Sequence, residues 1–179
     1  TETEKAMKIF AMGRNKMGTT SLHPARETLG FRSLHDWRRC SEIAEFAFEG
    51  RRHPLLDEYD AFLDGKLHQA YRPLAQWYPK AAFILTKRDK KAWIMSRINH
   101  VLFNRASGES TWREISTRYW SKQWDEHYRQ VDEFFYGTDR CLRIDVCGGE
   151  GWKRLCPFLE KAVPSKPFPM ANGTREKFE

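Results

Sequence analysis

The chain has 179 residues, an apolar share of 40% and a formal net charge of +7. These totals are typical of one globular domain that buries a substantial core. No apolar run reaches the roughly 18 residues that a membrane helix needs, and no charged start leads into an apolar segment with a cleavage site. The sequence therefore predicts no membrane partner and no secretion, and we expect a cytoplasmic protein.

The positive charge raises the question of a nucleic-acid partner. The 31 Lys and Arg residues are interleaved with 24 Asp and Glu residues and form no basic block. A small ligand with several negative charges accounts for the excess equally well, so we expect no nucleic acid. The cysteines are too widely spaced for a paired zinc motif and are interpreted as reduced thiols, and we predict no metal site. They are Cys40, Cys141, Cys147 and Cys156.

The first predicted elements are a short apolar strand that begins near Lys8 and a helix over 19–29, which Gly30 ends. The loop between them is bounded by Gly13 and Gly18. Glycines let the backbone curl around an anion, and the first N–H groups of a helix have no partner within that helix. This junction therefore predicts a phosphate site. Its spacing is close to that of the nucleotide-binding P-loop, but Thr19 stands where that motif requires Lys.

A second strand is predicted over 31–36, and it brings His35 and Asp36 to its carboxyl end. In an open α/β sheet, ligands bind at the carboxyl ends of the strands, so these residues are expected near the phosphate loop. Helical spacing then predicts a helix over 40–50. An acidic and aromatic segment over 55–64 is expected to lead into an amphipathic helix over 66–78.

A strand over 82–87 and a helix over 90–100 repeat the plan of the first unit, with Arg88 at the strand tip. A guanidinium there offers a planar fork to a second phosphate. The alternation of strands and helices predicts a parallel sheet. The remaining predictions are a polar loop over 101–111, a long amphipathic helix over 111–135, a strand over 141–146, a glycine turn over 148–151 and a helix over 152–159.

Two segments resemble the sulfotransferase family. Lys16-Met17-Gly18-Thr19-Thr20 matches its 5′-phosphosulfate loop, Lys-x-Gly-Thr-Thr, and Arg88 and Ser96 have the spacing of the residues that hold the donor's 3′-phosphate. The chain is similar to the small bacterial-type members. The chain length predicts a single domain over 1–179, and the polar start predicts a frayed end over 1–6. The resemblance implies a three-layer α/β/α fold like that of P-loop nucleoside-triphosphate hydrolases. Residues 160–179 are expected to form an extended C-terminal strap.

The family implies in-line transfer of a sulfuryl group from 3′-phosphoadenosine 5′-phosphosulfate (PAPS) to a hydroxyl or amine, without a metal. The product would be adenosine 3′,5′-bisphosphate, and the acceptor a small molecule or carbohydrate. Lys16 is implied as the catalytic cation. The Trp that stacks on adenine in cytosolic enzymes is Ser21 here, so Trp152 or Trp93 is expected to replace it, with Lys153 near the 3′-phosphate. The implied donor-binding residues are Arg14, Asn15, Lys16, Met17, Gly18, Thr19, Thr20, Arg88, Ser96, Trp152 and Lys153.

The acceptor also needs a general base, because a neutral hydroxyl is a poor nucleophile. Asp64 resembles an acidic residue of many small family members, and His35 lies where carbohydrate sulfotransferases carry a carboxylate base. His68 stands near the base His of the steroid and phenol enzymes. We rank Asp64 first and His35 second.

Two other functions fit parts of the sequence. A P-loop kinase for a small metabolite would need an acidic strand end for Mg²⁺, for which Asp145 is the candidate. A basic nucleic-acid-binding module would predict steep salt dependence and would leave the phosphate loop unexplained. Both rank below sulfuryl transfer. The acceptor and the oligomeric state are left open.

Overall fold

The computed structural model describes residues 7–109 and 112–170. These residues form two compact units, the first made of 7–87 and 138–170 and the second of 88–109 and 112–137. The predicted frayed end over 1–6 and the last part of the predicted strap, 171–179, lie outside the described residues. That the whole chain acts as one domain stays a prediction.

A parallel sheet forms the centre of the first unit, and within the described residues it has five strands. Their order is β2-β3-β1-β4-β5, and every neighbouring pair runs parallel. The predicted α/β fold with a central parallel sheet is therefore confirmed. The strands are β1 Ile9–Ala11, β2 Ser33–His35, β3 Ala61–Leu63, β4 Ala82–Thr86 and β5 Cys141–Ile144.

The helices of the first unit connect these strands. They are α1 Thr19–Thr28, α2 Trp37–Phe48, the short α3 Leu55–Glu58, a 3-10 helix Gly65–Gln69, α4 Tyr71–Trp77 and α7 Trp152–Phe158. Helix α2 begins three residues before the predicted position, because the Asp36 carboxylate accepts the backbone N–H of Arg39 at 2.8 Å and caps its first turn. Helices α1 and α7 begin where they are predicted.

Strand β3 is absent from the sequence prediction. It pairs with β2 on one side and with β1 on the other, so it is an interior strand. The predicted single helix over 66–78 is also wrong, since the 3-10 helix and α4 divide this stretch at Ala70. Asp64 lies at the junction between β3 and the 3-10 helix, directly after a buried strand residue, Leu63.

The two faces of the sheet carry different side chains because successive strand residues alternate. On one face Phe10 stacks against Phe62 and Phe83, with ring centroids 5.3 and 5.5 Å apart. On the other face Ile9 and Ile84 belong to a buried cluster with residues of α1 and α7, including Leu22 and Leu155. These two helices are therefore fixed against the same face of the sheet.

The second unit consists of α5 Lys90–Ser107 and α6 Thr117–Phe135. Trp93 and Trp124 bring the two helices together, with ring centroids 4.7 Å apart. The predicted polar loop over 101–111 is wrong as far as Ser107, because α5 continues through this stretch and buries Asn104. Helix α6 begins at Thr117, later than predicted. Within the part of the chain that is described, no helix has the length and apolar character needed to cross a bilayer.

Candidate active site

The loop between β1 and α1 fits closely against neighbouring strand ends. A Cβ atom on Gly13 would lie 1.6 Å from Thr86 Oγ1, at the end of β4. Gly18 has φ +83°, and a Cβ there would lie 3.1 Å from Val146 Cβ, just beyond β5. Position 13 requires glycine because there is no space for a side chain, and position 18 requires glycine because its φ is positive. The loop is therefore held at the carboxyl edge of the sheet.

Lys16 lies in the middle of this loop with φ +64°, a left-handed conformation that is uncommon for a residue with a side chain. Met17 beside it is fully buried and anchors the loop. Arg14, Asn15 and Lys16 are half-buried. The first turn of α1, with Thr19 and Thr20, follows directly and presents the helix N-terminus. This arrangement can bind an anion through backbone N–H groups and the Lys16 ammonium.

His35 and Asp64 come together on the strands beyond β1. His35 is the register partner of Leu63, so Asp64 follows at the same level of the sheet. The distance between His35 Nε2 and Asp64 Oδ2 is 3.4 Å. Because β3 also pairs with β1, this pair and the phosphate loop lie on the same carboxyl edge. The structure thus brings together on one edge the predicted phosphate loop and two of the predicted base candidates.

Asp64 has an unusual backbone and an unusual environment. Its φ of 90° and ψ of −173° fall in a region that is essentially restricted to glycine. Burial raises the pKa of the Asp64 carboxyl, but hydrogen bonds from His35 and the Gly65 N–H, together with the charges of His35 and His68, outweigh it. The net result is a pKa below the ordinary 3.8. Asp64 is thus held as a carboxylate.

The residue after Asp64 explains how the strained turn is fixed. The Gly65 N–H donates to Asp64 Oδ1 at 2.9 Å. A Cβ on Gly65 would lie 2.6 Å from the Trp37 carbonyl oxygen and 2.8 Å from the Ser41 nitrogen. The start of the 3-10 helix is therefore packed against α2. His68 Nδ1 lies 3.1 Å from the Gly65 carbonyl oxygen, so this candidate base contacts the backbone of the same turn.

Arg88 and Ser96, the predicted ligands of the 3′-phosphate, belong to the second unit. Arg88 follows β4 by two residues and is half-buried. Helix α5 begins next, capped by the Asp89 carboxylate, which accepts the Ala92 N–H at 2.8 Å. Ser96 lies on this helix and is half-buried. The predicted order of strand, arginine and serine-bearing helix is present.

The two tryptophans considered for adenine have different surroundings. The Trp152 indole N–H donates to the Lys166 carbonyl at 2.8 Å, and its ring meets Phe168 edge-on with centroids 4.9 Å apart. The predicted strap therefore covers Trp152, whereas Lys153 beside it is exposed. Trp93 is fully buried. Stacking of adenine on either ring would require the covering groups to move.

Sequence reasoning missed two residues of this edge. Thr86 defines the space at Gly13, and His23 of α1 lies beside His35 with ring centroids 5.3 Å apart. Ser33 and His35 are two residues apart and therefore lie on one face of β2. That face could have indicated that a residue of the neighbouring helix, such as His23, packs against both. Within 7–109 and 112–170, no group of three or more His, Cys, Asp or Glu side chains is arranged to hold a metal ion.

Comparison with known proteins supplies independent information. A family profile described as "Sulfotransferase domain" matches residues 8–121 and 95–177, two overlapping stretches. The first stretch includes the loop, His35, Asp64, Arg88 and Ser96. The chain is also 28% identical to "Ava biosynthesis cluster protein M" of Aspergillus versicolor, over 91% of this chain and 80% of that protein.

Proposed function

Because the chain belongs to the sulfotransferase family, we propose that it transfers a sulfuryl group from PAPS to a hydroxyl or amine of a small-molecule or carbohydrate acceptor. One observation carries the proposal. The glycine-fitted loop with Lys16 and the His35–Asp64 pair occupy the same carboxyl edge of one parallel sheet. An anion cradle and a proton acceptor are the two groups that this chemistry requires.

We assign the 5′-phosphosulfate to the loop 14–20. Sulfuryl transfer resembles phosphoryl transfer in that it depends on alignment and charge stabilisation more than on covalent help. The helix N-terminus at Thr19 and the half-buried Lys16 suit this task. Lys16 would neutralise the oxygen that bridges sulfur and phosphorus. The family motif assigns the 3′-phosphate to Arg88 and Ser96, and Trp152 and Lys153 remain proposals for the adenosine side.

For the base we favour His35, with Asp64 as its orienting partner, which reverses the ranking from the sequence. Asp64 already accepts the Gly65 N–H and contacts His35, and its lowered pKa makes it a weak base. A carboxylate beside Nε2 holds the proton on that nitrogen, so Nδ1 carries the lone pair that accepts a proton. Asp64 would then stabilise the imidazolium.

The proposed step is balanced within these groups. The acceptor oxygen or nitrogen forms a bond to sulfur while the bond between sulfur and the 5′-phosphate oxygen breaks. The electron pair of that bond stays on the phosphate, beside Lys16. The acceptor proton passes to His35, and adenosine 3′,5′-bisphosphate leaves.

Ligand-dependent thermal unfolding tests the donor assignment. Adenosine 3′,5′-bisphosphate at 100 times its Kd should add about 2.7 kcal/mol to the free energy of unfolding. ATP with Mg²⁺ should add much less. The opposite ranking would support the kinase alternative, for which Asp145 is the acidic candidate. The Asp145 carboxylate accepts the Gly148 N–H at 2.7 Å, which accounts for its place in the turn.

Thiol alkylation locates the bound nucleotide. Cys147 is exposed, and its Sγ would lie 3.4 Å from a Cβ on Gly18, whereas Cys40 and Cys156 are buried. Adenosine 3′,5′-bisphosphate bound in the loop should slow the alkylation of Cys147 by iodoacetamide, measured by mass spectrometry. Glutathione in the same mixture serves as the control, because burial raises the pKa of the Cys141 thiol to about 12 and makes it unreactive. An unchanged rate at Cys147 under saturating nucleotide would place the nucleotide elsewhere.

A further inference from the structure

His23 lies on the helix that follows the phosphate loop. It is four residues after Thr19, where α1 begins, and its side chain is 28% exposed. Its Nδ1 atom lies 3.0 Å from Ser33 Oγ, and Ser33 is buried at the start of β2. This contact fixes the orientation of the His23 ring, because an imidazole with one anchored nitrogen has little freedom to rotate.

The anchored ring lies against the proposed base. The centroids of His23 and His35 are 5.3 Å apart, with an angle of 50° between the ring planes. Ser33 and His35 are two residues apart on β2 and so lie on one face of the strand. His23 therefore contacts both residues of that face. On its other side His35 contacts the carboxylate of Asp64 at 3.4 Å.

Burial favours the neutral form of His23. Burial lowers the pKa of His23 below 6.5, and the charges of His35 and Arg26 lower it further, against Glu27, which raises it. Glu27 Oε1 lies 3.8 Å from His23 Nε2. Asp64 contacts His35 from the turn after β3, and the charge of His68 in that turn lowers the pKa of Asp64. A neutral His23 can support His35 without opposing the positive charge that His35 gains as a base.

We propose that His23, anchored by Ser33, is a positioning residue that holds the His35 imidazole against Asp64. The inference rests on the proposed role of His35 as the base. It also links the two halves of the site, because α1 carries the anion-binding N-terminus at one end and His23 one turn later. His23 itself need not touch the substrate.

The test begins with a measurement that does not depend on turnover. Ser33→Ala removes the anchoring hydroxyl and keeps both histidine residues in the chain. We expect the imidazole NMR signals of His35 to shift or broaden in this variant. Thr28→Ala is the matched control, since Thr28 is exposed on the same helix and its hydroxyl donates to the Pro24 carbonyl at 2.9 Å. It should leave the His35 signals unchanged.

The second measurement is kinetic. Release of adenosine 3′,5′-bisphosphate from PAPS is followed with 2-naphthol or, failing that, water as the acceptor. His23→Phe keeps an aromatic ring but loses the anchor, and should lower kcat about tenfold with little change in KM for PAPS. In a His35→Gln background, His23→Phe should lower kcat no further, because a positioning residue acts only through its partner.

The outcomes separate the two proposals. Unchanged His35 signals in Ser33→Ala would overturn the inference, as would an equal cost of His23→Phe with and without His35. If the unaltered protein neither binds the bisphosphate nor turns over PAPS, the proposed function fails. The NMR comparison would still show whether His23 positions His35.

Discussion

The loop after β1 and the turn after β3 lie side by side on the sheet edge, and each carries a residue with a side chain at positive φ. Lys16 has φ +64°, in the left-handed helical region, which costs a residue with a side chain about 1–2 kcal/mol. Asp64 has φ 90° and ψ −173°, in a region that only glycine occupies readily. Both turns therefore store backbone strain, and the conformation of Asp64 is the less accessible of the two for a residue with a side chain.

The difference shows how each side of the site is held. The donor loop is specified locally, by Gly13 and Gly18 and the helix that follows them. The Asp64 turn depends on distant groups, because Gly65 fits against Trp37 and Ser41 of α2. Strain of this kind persists only where the surrounding structure enforces it. Substitutions in the loop after β1 should affect turnover and loop packing. Substitutions in the Asp64 turn should raise stability at the expense of activity.

The largest expected effect is on the donor side. Lys16→Ala should lower the rate of PAPS turnover by about 10²- to 10³-fold, the usual cost of removing one group that stabilises developing charge. Affinity for adenosine 3′,5′-bisphosphate should change far less, as measured by calorimetry. Lys80→Ala is the control, since Lys80 is exposed and precedes β4 at the amino edge of the sheet. Near-normal turnover in Lys16→Ala would remove Lys16 from the mechanism.

Gly13→Ala tests how tightly the donor loop is packed. The new methyl group would meet Thr86 Oγ1 at 1.6 Å, so the loop or the end of β4 must move. Overpacking of this kind costs about 1–3 kcal/mol in the free energy of unfolding, measured with urea. Adding Thr86→Ala should recover part of the loss, because it removes the nearest atom and leaves Cβ at 2.9 Å. Equal stability of Gly13→Ala and the unaltered protein would contradict the close fit.

The same contrast explains what the sequence could predict. The conformation of the loop between β1 and α1 was predictable because its signals lie within about fifteen consecutive residues. Strand β3 was not, since Ala61–Leu63 is three residues long and lies between Asp60 and Asp64. Three apolar residues show no periodicity. Its strand conformation comes from pairing with both β1 and β2.

The pairing of His35 with Asp64 was hidden for the same reason. The two residues are far apart in sequence and meet only because β3 aligns with β2. The sequence therefore indicated His35 and Asp64 as separate base candidates, beside His68, and the sheet register joins these two. The end of α5 shows a related limit. Polar residues such as Asn104 and Ser107 indicated a loop, but Asn104 is buried and its amide donates to the Trp112 carbonyl at 3.2 Å.

Two substitutions at Asp64 should separate strain from function. Asp64→Asn keeps a side chain in a backbone conformation that only glycine adopts readily. Asp64→Gly removes the side chain and with it the backbone strain. Strain of this type is worth about 1–3 kcal/mol, and the added freedom of glycine in the unfolded chain offsets about 0.4–1 kcal/mol. Asp64→Gly should therefore be more stable than Asp64→Asn by about 1 kcal/mol in urea unfolding, and both should lose turnover. Greater stability of Asp64→Asn would mean that the turn is not strained.

The smallest expected effect is on acid stability. Since the folded-state pKa of Asp64 lies below its ordinary 3.8, its contribution to stability is present above that pH and is lost as the pH falls further. His23 has a pKa below 6.5, so its contribution is complete above 6.5 and declines as the pH falls from there. Because each group is partly exposed, solvent screens both effects. In urea unfolding, the stability of His23→Phe should therefore no longer depend on pH just below 6.5. Its stability should still fall steeply below pH 4, and Asp64→Asn should reduce that fall. A His23→Phe curve parallel to that of the unaltered protein would show that the pKa of His23 is the same in the folded and the unfolded chain.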